Sequence, residues 1–112
     1  MLKRIESLIL TTESYDEAVA FFKDKLGLEM AAKDSEMARF ELDGFPIFVA
    51  LTEKGLGSFI SIETDDISAD YRRLEGQGVE FHEPVRVLKS GDMASFFSGP
   101  AGAEFMLYQP HK

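Results

Sequence analysis

The chain reads as an α+β fold of two tandem βαβββ modules, and three observations lead there. The stretch TTESYDEAVAFFKDKLGLEM, residues 11–30, is written again 52 positions later. Thr12-Glu13-Ser14 falls on Thr64-Asp65-Asp66, and the apolar positions Tyr15, Val19 and Phe22 fall on Ile67, Tyr71 and Leu74. With one residue deleted, Gly27-Leu28-Glu29-Met30 lands on Gly78-Val79-Glu80-Phe81. Runs of strand length flank each copy, and one linker-like stretch, TEKGLG at 52–57, divides the chain near its middle. The modules are then about 1–53 and 58–112, within one domain by length.

Taken in order, Arg4–Thr12 alternates weakly and is rich in Ile, Leu and Thr, which predicts a strand. Ser14-x-x-Glu17 has the form of a capping box opening a helix. Tyr15, Val19, Phe22 and Leu26 then share one face, and Gly27 closes the helix. Strands are expected near Glu29–Lys33 and Met37–Leu42, joined by a Lys33-Asp34-Ser35 turn. Asp43-Gly44 is a hairpin signal leading into Phe45–Leu51, where Pro46 is tolerable near the start. After the linker, Ser58–Thr64 is a strand, and Asp66 caps a helix running to about Gln77 before Gly78. Glu80–Leu88 reads as one long strand bent at Pro84. Asp92–Ser98 follows the Ser90-Gly91 turn, and Glu104–Gln109 follows Gly99-Pro100-Ala101-Gly102.

Composition excludes several classes of function. The chain has no cysteine, hence no disulfide, thiolate nucleophile or zinc–thiolate site, and a reducing cytoplasmic location is the simple expectation. A net charge of −8 disfavours nucleic acid as a partner. MLKRIESLIL is broken by Glu6 and Ser7, so neither a signal peptide nor a membrane span is expected. GLG at 55–57 lacks the setting of a phosphate loop. No histidine is placed by motif to activate Ser7, Ser61 or Ser95. His82 stands without an imidazole partner, and a lone histidine is ordinarily a surface or structural residue.

AVAFFKDKLGLEM and PAGAEFMLYQP, on the duplicated pattern, resemble the glyoxalase/bleomycin resistance protein/dioxygenase superfamily, the vicinal oxygen chelate fold. The first segment follows the pattern S-x-x-FY-x-x-x-LG-(F/L/M), with Phe22 where tyrosine is common. The second follows DP-x-G-x-x-x-E-L loosely, as Pro100-Ala101-Gly102 and then Phe105-Met106-Leu107. The resemblance covers essentially the whole chain. It implies curved sheets forming an open cleft for a small molecule, and commonly a homodimer. It also implies metal-ligand positions at Ser7, Phe48, Phe59 and Met106. None of these is His, Glu or Gln, so the expectation is no metal and no cofactor.

Period-two alternation puts Leu8, Leu10, Ile47, Val49, Ile60, Ile62, Phe105 and Leu107 beneath the helices. The opposite set holds Ser7, Arg39, Glu41, Phe48, Phe59, Ser61, Glu63, Ser95, Phe97, Met106 and Tyr108. Its mixture of rings and charges suits a small-molecule pocket better than a solvated face. Ser7, Arg39, Glu41, Phe48, Phe59, Glu63, Phe97, Met106 and Tyr108 are therefore the expected ligand-binding residues. The expected function is sequestration of an aromatic or cationic ligand without metal, in the manner of the bleomycin-resistance branch. The alternatives are a lyase or isomerase using Glu63, His82 or Tyr108 as acid–base groups, and an interaction module with no ligand.

Overall fold

The Ile, Leu and Thr residues of the N-terminal run form strand β1, Leu2–Thr12, in the computed structural model, which describes residues 1–52 and 57–111. The 52–57 linker lies mostly outside the described residues. The element order is βαβββ twice over, as the repeat requires. The chain divides into two compact units, residues 7–58 and residues 1–6 with 59–112, so β1 contributes its two ends to different units.

In the unit of residues 7–58, helix α1 covers Tyr15–Ala20 and continues as a π-helical turn over Phe21–Lys25. Strands β2 (Glu29–Lys33), β3 (Met37–Leu42) and β4 (Phe45–Leu51) follow. The sheet order is β2-β3-β4-β1, antiparallel except where β1 runs parallel to β4. Pro46 lies one residue before the Leu8–Ile47 pairing begins, so its missing N–H costs the parallel ladder nothing. Tyr15, Val19, Ala38, Phe40, Ile47 and Val49 form the core, with Leu8, Phe22, Leu28 and Met30 packed around them. The expected hairpin forms at Asp43-Gly44, both at positive φ (52° and 78°), the signature of a type I′ turn. Asp34 Oδ1 accepts the amides of Glu36 and Met37 and shapes the preceding turn.

Two expectations fail at α1. Ser14 makes no side-chain cap; its own amide is taken by Thr12 Oγ1, which leaves the capping box open. Leu26 is exposed rather than buried, because the π-helical turn adds a residue and rotates it off the apolar face.

In the other unit, β5 (Gly57–Thr64) contributes from Phe59 onward. Helix α2 covers Ile67–Gly76, and β6 (Arg86–Val87), β7 (Met93–Ser98) and β8 (Glu104–Gln109) complete the set. The order is β5-β8-β7-β6, with β5 and β8 parallel. Asp66 caps α2 as expected, Oδ1 accepting the Ala69 amide at 3.1 Å. The long strand expected over 80–88 is reduced to Arg86–Val87 and a single Phe81–Phe97 bridge. Pro84 cannot donate to a ladder, and the Glu83 carbonyl is taken by Ser95 Oγ instead.

The repeat extends to strand register. Leu8 pairs with Ile47 and Ile9 with Phe48, while Ile60 pairs with Phe105 and Ser61 with Met106. Both members of each pair advance by a fixed step, 52 on one side and 58 on the other. The equivalence of Phe48 with Met106 therefore holds in the pairing of each unit.

Two turn residues test the backbone. A Cβ on Gly99 would meet the Phe105 ring at 2.5 Å, so only glycine fits there. Ala101 sits at φ 58°, a left-handed conformation costly for a residue with a Cβ. Ala101→Gly is expected to stabilise the fold by about 0.5–1 kcal/mol in urea titration, since the relief of strain exceeds the added chain entropy.

Candidate functional site

The sheet of the second unit has one face toward α2. Tyr71 of that helix meets Phe81 at 4.3 Å, Phe81 meets Phe97 at 5.2 Å, and Phe97 stacks on Phe105 at 5.2 Å between ring centres. Side chains one residue along point the other way. Pairing then fixes the opposite face row by row. Ser61, Met106 and Phe96 form one row, and Glu63, Tyr108, Ala94 and Arg86 the next. Glu104 and Ser98 form the row on the other side, each row about 7 Å from its neighbour.

The middle of this face is apolar. Phe59 and Phe96 meet edge to face at 5.3 Å, and Phe59 and Met106 are buried. The Arg86 guanidinium lies 5.6 Å over the Phe96 ring and pairs with Glu83 at 3.3 Å. Ser61 is fully buried, and its hydroxyl has no hydrogen-bond partner among the described residues. Burying a hydroxyl unpaired is costly, so this atom is a place where a bound group or a water would be stabilised.

At one end the charges compensate each other. Arg4 Nη2 donates to Glu63 Oε1 at 3.0 Å. Tyr108 donates its hydroxyl to Asp92 Oδ2 at 2.7 Å, and Asp92 Oδ1 accepts the His111 amide at 2.7 Å. Burial, the Asp92 carboxylate, and the charges of Glu6 and Glu63 push the Tyr108 phenol well above its usual range. The His111 amide and the Tyr108 hydroxyl hold Asp92 below the usual carboxylate range. Tyr108 is thus held as a neutral donor to Asp92.

The other end holds an arrangement that sequence reasoning missed. His82 Nε2 lies 2.8 Å from Glu104 Oε1 and 3.0 Å from Ser98 Oγ. Ser98 Oγ also donates to Glu104 Oε2 at 2.6 Å. The Ser98 hydroxyl and the imidazole hold Glu104 below its ordinary range, so it is a carboxylate with no hydrogen to give. Ser98 spends its proton on Oε2, and Nε2 must therefore carry the hydrogen that bridges to Oε1. Three residue types associated with nucleophilic hydrolysis are present, but their roles differ from that chemistry. The serine proton goes to the carboxylate rather than to the imidazole, so the order of a Ser–His–acid relay is not present.

In the unit of residues 7–58, Arg39 Nη2 pairs with Glu41 Oε2 at 2.7 Å and its guanidinium lies 5.7 Å over Phe48. Arg39 pairs in register with Phe48, and Phe48 with Ile9, so Ser7 shares their face and is buried there.

Of the expected ligand-binding residues, the structure groups Ser7, Arg39, Glu41 and Phe48 in one unit. It groups Phe59, Glu63, Met106 and Tyr108 in the other. Phe97 does not join them. It lies on the α2 face with Ser95, the reverse of the expected alternation, because stacking on Phe105 and Phe81 fixes the phase of β7. Phe96 takes its place. Phe96, Ser98 and Glu104 were not anticipated, and Arg86 only as a group for an anionic guest. One signal was available: Phe81 as a core residue forces His82 onto the opposite face.

The four positions that would hold a metal by family likeness present one hydroxyl, two phenyl rings and a thioether. This set does not fit a divalent transition metal, which takes imidazole or carboxylate donors. Among the described residues, no three His, Asp or Glu side chains gather closely enough to replace it. No helix among them is long and apolar enough to cross a membrane.

Three comparisons bear on this architecture. The family model of the Glyoxalase/Bleomycin resistance protein/Dioxygenase superfamily matches residues 4–107. No curated protein matches the chain. Among solved structures, a hypothetical protein from Bacillus halodurans C-125 superposes with a TM-score of 0.76 at 13% identity, covering 97% of this chain and 95% of its own. A glyoxalase/bleomycin resistance protein/dioxygenase superfamily member from Vibrio splendidus 12B01 gives 0.71 at 19%, covering 98% and 100%. Methylmalonyl-CoA epimerase from Mycobacterium tuberculosis gives 0.71 at 18%, covering 99% and 90%. At these identities the likeness is one of fold.

Proposed function

Because the chain belongs to the glyoxalase/bleomycin resistance protein/dioxygenase superfamily, we propose that it binds a small aromatic molecule without a metal and holds it rather than transforming it. One observation carries this reading. Where relatives could place metal donors, the second unit offers the buried Phe59 and Met106, with Phe96 beside Phe59 and Arg86 over Phe96. Ring faces and edges of this kind favour a planar guest, which gains about 0.5–1.5 kcal/mol per aromatic contact beyond area burial. The cationic guest also expected from sequence has less support, since Glu41 and Glu63 each already hold an arginine.

An isomerase is the second reading, suggested by the epimerase among the similar folds. Of its expected acid–base groups, Glu63 is paired with Arg4 and Tyr108 gives its proton to Asp92. Among the described residues, His82 keeps Nδ1 without a partner and Glu63 keeps Oε2. We also propose a homodimer, because Phe21, Leu26, Met37, Leu42, Phe45 and Leu51 are exposed and a second copy could cover some of them.

Native mass spectrometry of protein purified without a polyhistidine tag tests these points together. The expected result is a dimer with no transition metal, whose melting temperature rises with naphthalene-type compounds and does so less after Phe96→Ala. One tightly held metal per chain would overturn the metal-free reading. No response to any planar aromatic would overturn the ligand class.

A further inference from the structure

The His82–Glu104–Ser98 cluster is more than a clamp between strands. We propose that His82 anchors the guest by accepting a hydrogen bond at Nδ1 from an aromatic hydroxyl, which makes the preferred ligand a phenol. This inference rests on the binding reading given above and specifies its polar end.

The geometry supports it in three steps. Glu104 and Ser98 both engage Nε2, at 2.8 and 3.0 Å, which fixes the ring plane and commits the hydrogen to that nitrogen. Nδ1 is then left with a lone pair and no partner among the described residues, on a side chain that is half exposed. A neutral imidazole in this tautomer is a hydrogen-bond acceptor at Nδ1.

The cluster is also placed to serve the aromatic floor. Phe81 faces α2, so His82 faces away from it, on the same side as Phe96 and Met106. Ser98 and Glu104 occupy the row next to Met106 and Phe96, about 7 Å along the strands. One aromatic ring with a hydroxyl spans that step while its face lies against Phe96.

Charge selects among possible guests. Glu104 and Glu83 lie near the site, and the Arg86 cation beside them is already paired with Glu83. A carboxylate guest would meet net negative charge, whereas a neutral hydroxyl finds an acceptor waiting. A guest lacking the hydroxyl would leave Nδ1 unsatisfied in a partly desolvated place.

The test uses the full chain labelled with ¹⁵N-histidine, titrated with phenol, anisole and benzoate. In free protein, His82 is expected as the Nε2–H tautomer. Phenol should move the Nδ1 resonance and bind about tenfold more tightly than anisole, the difference one good hydrogen bond makes. Anisole should perturb the Phe96 ring resonances but leave Nδ1 unmoved. His82→Phe should abolish the preference for phenol while retaining anisole binding, which doubles as its folding control. Glu104→Gln should shrink the preference, since an amide can donate as well as accept and no longer commits the hydrogen to Nε2. Equal binding of phenol and anisole with Nδ1 unmoved would overturn this inference and leave the binding reading standing. Failure of every compound to perturb Phe96 would overturn both, and tightest binding by benzoate would overturn the neutral donor.

Discussion

Phe40→Ala is expected to lose about 3–5 kcal/mol of unfolding free energy, the usual result of deleting a fully buried phenyl ring. Phe40 has no exposed surface and lies between Met30 of β2 and Ile47 of β4 in the pairing register. Its ring meets Phe22 at 5.6 Å, which ties the strand to the helical segment above it. The flanking strands are fixed by their own ladders, so the space cannot close by collapse and the cavity persists. Urea denaturation measures the loss, and a change under about 1 kcal/mol would show that the core is elsewhere. Phe45→Ala, at the exposed end of the neighbouring strand, serves as the control and should cost far less.

Asp70→Ala is the second large effect, and it comes from a polar group. Asp70 is buried on α2, and its carboxylate takes the Thr64 hydroxyl, the Met1 amino group at 3.0 Å and Arg73 at 3.3 Å. Burial by itself would raise its pKa; the Thr64 hydroxyl, the amino group and Arg73 outweigh that and lower it. Alanine would take the carboxylate from the buried Thr64 hydroxyl, leaving it the Met1 carbonyl at 3.2 Å, and would unpair Arg73, together a cost of about 1–3 kcal/mol. The sign of the pH dependence follows. With the folded pKa depressed, the contribution is fully present above the unfolded value of about 3.9 and fades as pH falls through the folded one. Acid titration of stability should therefore be shallower below about pH 4 in Asp70→Asn than in the parent chain. Parallel titration curves would show that the carboxylate's charge is not used.

The contrast between these two residues shows what a sequence can disclose. Phe40 lies in a strand whose alternation is clean, with Arg39 and Glu41 on either side. Asp70 looks like any acidic residue on a solvated helix, and only Thr64, placed by the end of β5, makes it internal. The double βαβββ order, the Asp66 cap and the Asp43-Gly44 hairpin are local, and composition announces them. In β7 the run ASFFS places a ring on each face, so alternation cannot choose a phase. The stack of Phe97 on Phe105 chooses it, and that contact is long-range. The His82 cluster is illegible for the same reason, since positions 82, 98 and 104 meet only through strand pairing. The Ser14 capping box was legible but misleading, because Thr12, two residues earlier, competes for the same amide.

The π-helical turn over Phe21–Lys25 records a length difference between the two halves. Leu28 donates its amide to the Phe22 carbonyl, six residues back, whereas its counterpart Val79 donates to Leu74, five back. The sequence alignment demands one deleted residue in this same interval, between Phe22 and Gly27. In a regular helix an extra residue turns everything beyond it by about 100° and would aim the next strand wrongly. A wider turn takes up the extra residue in place, so that Gly27 and Gly78 each close their helix at positive φ. The one-residue difference is thus taken up within the helix, while the larger change, from an offset of 51 at Gly27 and Gly78 to 58 at Phe48 and Met106, falls in the segments that follow.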